Sequence, residues 1–392
     1  MPSLHRNTVT FTLFFILFFV LPMPAQEPAQ APRRINVNAI PLETSTLIND
    51  LDPGTQRHLR FDVDMDFISD SSRIVGLYIP NANERTSANI TKSARSFLSR
   101  LDDGQRKKIK HGLSSKERSQ WTNLPAPPNA GGLKMADMTQ DQLKSFLDLL
   151  AHLLSPSGYE KVRMIMLADD QLISNGRKRP GFGTDYFSVV VFGEPSETQG
   201  WALQLDGHHL GLNIAIAGDR TTIAPSFIGS QPSKFNLGDH EIRPMAIETD
   251  AAFLLANELS EKQFRTALVR QKRGQIRTGP GRDGTKLEQQ GIACSSFNDA
   301  QKKQLLTLIA AWVGNLPKEQ AQRRIREIES EIDQMYFSWS GSREQGGDAS
   351  YAIQSPSLII EFAYQDLGGN PLQHVHSQYR NPKNDYGKAF LK

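Results

Sequence analysis

The densest concentration of reactive side chains lies late in the chain: His374-Val375-His376-Ser377-Gln378-Tyr379-Arg380, followed by Asn384-Asp385-Tyr386-Gly387. If the first segment is extended, as Val375 and Tyr379 favour, its two imidazoles share one face. Such a pair can chelate one metal ion, with a carboxylate or a third imidazole completing the shell. A solvent-exposed edge strand with two idle histidines is the competing reading. Glu361 interrupts the apolar run Leu358 to Ala363. A carboxylate in mid-strand is costly unless paired or metal-bound, so it is expected beside the His pair or in a salt bridge to Arg380. The adjacent His208 and His209 would point to opposite faces of a strand, so at most one joins a site on a given face. His209 falls with Gly211, Asn213 and Ala215 on the more open face and is the favoured ligand of the two.

The expected ligand set is therefore His374, His376, Glu361 and His209 or His208. It suits a divalent transition metal, zinc first, with iron, copper and nickel left open. Zinc with an open position would activate water for hydrolysis, and Arg380 or Tyr386 would stabilise developing negative charge. Asp385 joins these two as a candidate catalytic group. Iron held by two His and a carboxylate would instead support oxidative chemistry. The H-x-H pattern lacks the Asp-His that follows it in metallo-β-lactamase-like hydrolases, and neither H-E-x-x-H nor G-x-S-x-G occurs. The alternative from another class is a non-catalytic binding module outside the cytoplasm. Its His, Arg, Tyr and Trp residues, Trp201 and Trp339 among them, would line a pocket for a carbohydrate or an acidic small molecule.

Composition sets the bounds. The 392 residues suffice for a substantial core, and a formal charge of +3 gives no footprint for nucleic acid. The basic run Arg177-Lys178-Arg179 beside Pro180 and Gly181 reads as a solvated loop. Residues 1–25 have the order of a secretory signal peptide: a weakly basic start, the apolar run Phe11 to Leu21, and Pro22 to Ala25. That run is too short to span a bilayer, so no stable membrane insertion is expected after cleavage, and the protein is expected to be secreted or periplasmic. With Cys294 alone no intrachain disulfide forms, and that thiol reads as a small buried hydrophobe. Residues 26–60 read as a disordered spacer and lead-in. Asp62, Asp64 and Asp66 alternate with apolar residues as on a strand with an exposed polar face.

The elements that must position the candidates follow from periodicity. Helices are expected from Thr91 to Lys110 with a break at Asp103-Gly104, from Thr139 to Leu154, and onward from Ser155-Pro156. Strands are expected at Asp185–Phe192, Trp201–Leu205 and His208–Ala217, with Asp206-Gly207 as the hairpin turn. A loop rich in Gly, Pro and Ser spans Ala224 to Pro244. Further helices follow near Ala246–Leu259, Glu261–Val269, Asp299–Val313 and from Pro317. The last strands are Tyr336–Trp339, Tyr351–Ile353, Leu358–Tyr364 and the His strand. The expected fold is α+β: residues 61–392 form one large domain, a helical N-terminal part packed on an antiparallel sheet built from residues 185–217 and 336–380.

Several stretches together resemble a known family. They are Trp201…Gly207-His208-His209-Leu210, Pro225-Ser226-Phe227-Ile228-Gly229-Ser230-Gln231-Pro232, Ile360-Glu361-Phe362 and His374-Val375-His376…Tyr379-Arg380…Asn384-Asp385-Tyr386-Gly387. In that combination the chain, from about Phe97 onward, resembles the family called Domain of Unknown Function 3500. Asn381 departs from it, standing where Asp is expected. The resemblance implies a shared fold and carries no activity with it.

Overall fold

The structure, a computed structural model, describes residues 85–125, 131–174, 180–237 and 240–391. The expected leader and spacer, the Asp62/Asp64/Asp66 strand and the Arg177-Lys178-Arg179 run lie outside these residues. Among the described residues, no helix is long and apolar enough to cross a membrane.

Among the described residues, eight α-helices come as two sets of four. The first set is α1 (Ser87–Ser99), α2 (Asp103–Ile109), α3 (Gln140–Leu153) and α4 (Pro156–Ser174). The second is α5 (Ala246–Glu258), α6 (Glu261–Ala267), α7 (Asp299–Val313) and α8 (Lys318–Glu329). Local chemistry repeats between them. Asp102 and Ser260 cap α2 and α6, each in a reciprocal box with a Gln three residues on, Gln105 or Gln263. Thr139 with Gln142 and Asn298 with Gln301 do the same for α3 and α7. The amides of Gln105 and Gln142 then bond each other both ways at 3.0 and 2.8 Å, as Gln263 and Gln301 do at 3.0 Å.

The strands repeat as well. In the first half they are β1 (Lys110–His111), β2 (Leu133–Lys134), β3 (Ser188–Phe192), β4 (Trp201–Gly207), β5 (Leu210–Ala217), β6 (Arg220–Thr222) and β7 (Ser226–Ser230). A small separate hairpin, β8 (Phe235–Leu237) and β9 (His240–Ile242), precedes the second half. That half contributes β10 (Leu268–Arg270), β11 (Ile292–Ala293), β12 (Tyr336–Gly341), β13 (Ala349–Ser355), β14 (Leu358–Tyr364) and β15 (Val375–Arg380). All but β8 and β9 belong to one 13-stranded sheet, whose main path runs β1-β3-β4-β5-β7-β15-β14-β13-β12-β10. The order reads alike from either edge. β1 and β10 pair in parallel with β3 and β12, and β2 and β11 pair antiparallel with the same two strands. Gly132 and Gly291, at φ 91° and 92°, lie so close to the Val189 and Phe337 carbonyls that no Cβ fits at either. The described residues thus form two structurally equivalent halves, joined where β7 pairs antiparallel with β15 and Ser226 faces Tyr379.

The α+β class expected from the sequence is the one found, with a second set of helices joining the first on the sheet. Two local expectations are corrected. Ala224 to Pro244 is not simply a loop, because it carries β7, a fully buried strand in the middle of the sheet. The β4–β5 turn is His208-His209, with Gly207 paired to Leu210, two residues beyond the Asp206-Gly207 signal.

Side-chain alternation gives the sheet two unlike faces. One carries Val191, Leu203, Leu205, Leu212, Ile214, Phe337, Trp339, Tyr351, Ile360 and Phe362, which form one core with Phe97, Phe146, Leu149 and Trp312 of the helices. The other carries Gln204, Asp206, Asn213, Glu361, Gln378 and Arg380, all buried, beneath connecting segments. Trp121 covers Gly211, Thr278 binds Glu361, and Phe390 with Leu391 packs on Val190, Phe192, Ala202 and Ala215. Under the core face, Lys161 of α4 pairs with the fully buried Glu248 of α5 and donates to Ala311 O of α7 at 2.8 Å. Removing one partner strands a charge. Lys161→Met is therefore expected to cost about 3–5 kcal/mol in urea unfolding, and Lys161→Met/Glu248→Leu to recover most of it. Equal costs for the single and double variants would show that the pair is not the cause.

Candidate metal centre

The β4–β5 turn and the start of β15 meet because β7 lies between them. His376 pairs with Gly229 of β7, and Gly229 N donates to His209 O at 2.8 Å. His209 itself has a left-handed backbone, φ 65°, which is uncommon for a residue with a Cβ. Gly229 keeps the space open. A Cβ there would lie 2.6 Å from Val375 O, 3.1 Å from the His376 ring and 3.4 Å from the His209 ring.

Three imidazoles converge in that space. His374 Nε2 lies 2.8 Å from His209 Nε2 and 2.9 Å from His376 Nε2. His374 Nδ1 lies 2.6 Å from Leu367 O, which can only accept, so Nδ1 carries the proton. In the neutral ring Nε2 then has a lone pair and no hydrogen. Two neighbouring nitrogens press on that one lone pair, and it can accept only one good hydrogen bond. The donor groups of His209, His374 and His376 lie within the mutual separations that one cation requires. Nitrogens bound tetrahedrally at 2.0–2.1 Å stand about 3.3 Å apart, so an ion would spread these by about half an ångström.

His208 packs against His209 with ring centroids 3.6 Å apart and the planes tilted by 36°, contrary to the expectation of opposite faces, because turn residues do not alternate as strand residues do. Its Nδ1 meets Asp169 Oδ1 at 2.5 Å, and Asp169 Oδ2 accepts from Gly183 N at 2.6 Å. Asp169, His208 and His209 form a second possible donor group. Both Asp169 oxygens are already occupied by these bonds, so the three-imidazole group is the better metal set. Phe182 and Phe227 close edge-on against His208 and His376, at 4.8 and 5.0 Å.

Glu361 stands outside this group. Its carboxylate accepts from Arg277 N, Thr278 N and Thr278 Oγ1, and pairs with Arg277 Nε at 3.3 Å. Its partner is neither of the two expected, since residues 277–278 cross over the polar face of β14. Arg380 places four of its five N–H groups on Thr278 O, Gly279 O, Asp283 and Asp385. It lies four residues from His376, about 13 Å along the strand. Asp385 binds Arg380 and Asn381 N. Tyr386, at φ 57°, donates to Asp283 and accepts from Trp121 Nε1 at 2.8 Å. Arg380, Asp385 and Tyr386 thus tie down the cover of the polar face and do not meet the imidazoles. Trp201 and Trp339 are fully buried in the apolar core. Cys294 is buried, with its thiol pushed up to about 12 by burial. Sequence reasoning missed Asp169, hidden in helix α4, and Gly229, in the segment read as loop.

Burial holds His209 and His376 well below the usual imidazole range, helped by the neighbouring imidazoles, and lowers His374 also. The unfolded chain therefore takes up protons that the folded site refuses. These rings stabilise fully above about pH 6.5, and the contribution is lost as pH falls below it. Asp170 and Asp206, pushed up to about 6 by burial, act oppositely between about pH 4 and 6. In metal-free protein, the urea midpoint is expected to fall between pH 7.5 and 6 by more in the wild type than in His376→Asn. Parallel pH profiles would show that the site imidazoles stay protonatable after folding.

The family model described as "Protein of unknown function (DUF3500)" matches residues 83–388. No curated protein and no solved structure matches the chain.

Proposed function

The chain belongs to that family, and from that premise we propose that it is a metal-dependent enzyme whose ion is held by His209, His374 and His376. One observation carries the reading: His374 Nε2, unprotonated because Nδ1 serves Leu367 O, lies within 2.9 Å of two further imidazole nitrogens. Second-sphere anchoring of a ligand's far nitrogen on a carbonyl is the usual support of a metal-binding His. Three neutral imidazoles suit zinc best, with copper and nickel next. Iron in a two-His, one-carboxylate shell is less favoured, because Glu361 bonds elsewhere.

His209, His374 and His376 would hold zinc with one position left open, and the ion would supply there the Lewis acidity that activates water for hydrolysis. Hydrolysis of a small molecule is the reaction that follows. Around that position His209 and His376 supply lone pairs, because burial keeps them neutral. Asp169 orients His208 against the ligand His209, as outer-shell carboxylates do. Export from the cytoplasm, drawn from the pattern of residues 1–25, completes the reading.

A binding module without catalysis is favoured by a separate feature. A cavity of about 480 Å³ is lined by polar groups, Arg243, Asp250, Gln345 and Tyr364 among them, together with the apolar Met245 and Leu372. A small polyhydroxylated ligand fits that lining.

Elemental analysis separates the readings. The wild type is expected to carry about one ion per chain, His374→Ala/His376→Ala to carry none, and Glu361→Gln to keep it. Gly229→Ala, which crowds two ligand rings, is expected to bind metal more weakly. Metal-free wild type after incubation with zinc, copper, nickel and iron would sink the enzyme reading.

A further inference from the structure

Two residues from His376, the polar face of β15 holds a buried acceptor that the fold leaves without a donor. Gln378 is fully buried, and among the described residues its side-chain Oε1 has no hydrogen-bond partner. Burying an amide oxygen unsatisfied forfeits its hydrogen bond to water without replacement. Exchanging the amide's N and O would not help, because Nε2 donates to Tyr379 O at 3.2 Å and an oxygen there would face a carbonyl. The oxygen is therefore directed away from Tyr379 O. Its neighbours across the sheet cannot supply a donor. Phe227 faces it from β7, and Glu361, itself an acceptor, faces it from β14. Arg380, two residues on, has four of its five N–H groups on Thr278 O, Gly279 O, Asp283 and Asp385 and makes no bond to this oxygen. On the other side stands His376, two residues back on the same face and about 7 Å along the strand.

We propose that Gln378 determines specificity for the substrate bound at the metal: its Oε1 accepts a hydrogen bond from an N–H or O–H of that substrate. The inference rests on the metal-enzyme reading above and adds a substrate class to it. A molecule that places a metal-ligating oxygen within one or two bonds of an N–H or O–H satisfies both groups at once, as amides, hydroxy acids and hydroxamates do. An analogue lacking the donor leaves Oε1 buried and unpaired, and a site built to bond a donor rejects such analogues strongly.

Acetohydroxamic acid and its N-methyl analogue are suitable probes, since both chelate zinc and only the first keeps the N–H. Titration calorimetry on the full zinc-loaded protein is expected to show the first binding at least about tenfold tighter. In Gln378→Met the ratio is expected to fall within about threefold, with zinc content and circular dichroism unchanged. A ratio near one in the wild type overturns the inference without need of any variant, and leaves an ordered water as the partner of Oε1. A wild-type ratio that persists in zinc-loaded Gln378→Met also overturns it while leaving the metal site standing. Failure of the wild type to bind zinc, copper, nickel or iron overturns both.

Discussion

The pairing of β7 with β15 is the contact at which two equivalent halves become one sheet, and it also sets the register of the imidazoles. With Gly229 opposite His376, and Gly229 N bonded to His209 O, the turn from the first half lies against the strand of the second. A slip of one residue would turn His376 to the core face and put Ser377 or Val375 in its place. The core fixes that register independently, because Trp312 Nε1 donates to Ser377 Oγ at 2.7 Å and Val375 and Tyr379 join the apolar cluster. Placement of the site is therefore a by-product of burying the other face.

The other face is costly in a different way. Gln204, Asp206, Asn213, Glu361 and Arg380 are buried polar groups, and such groups need partners. Most receive them from loops: Arg118 O for Gln204, Thr122 N for Asp206, Pro225 O for Asn213, residues 277–279 for Glu361 and Arg380. The covering segments are held in part by backbone groups bonded to these side chains. Sheet and cover thus specify each other, and Gln378 is the conspicuous gap in the pattern.

Much of this was legible in the sequence and some was not, for identifiable reasons. Helices such as Gln140–Leu153 announce themselves by their caps and 3.6-residue stripe, and β14 by its apolar run. β7 is five residues long and lies between Pro225 and Pro232, so local signals favour a loop, and only its position between β5 and β15 makes it a strand. Asp206-Gly207 looked like the turn, but the Asp206 carboxylate is used by Ser188 Oγ and Thr122 N, and the turn moves on to the histidines. The need of Glu361 for a partner was readable. The identity of that partner, backbone from residues 84 positions earlier in one case and 83 in another, was not. The duplication did leave a trace, a Gln three residues after the cap of α2, α3, α6 and α7, too sparse to read without the register.

Equivalence of the halves also bears on descent. Two half-length chains pairing through β7-like edge strands would form an isologous dimer, with each chemical feature present twice. Joining them end to end frees each copy to drift from its twin. The two halves differ at the matching hairpins, where His208-His209 in one corresponds to Pro356-Ser357 in the other. Around the second turn Ser357 is held by Arg324 and Glu331, a wholly structural arrangement. One copy of the place holds reactive groups and the other serves as masonry, a division of labour that a true dimer, bound by its symmetry, cannot make.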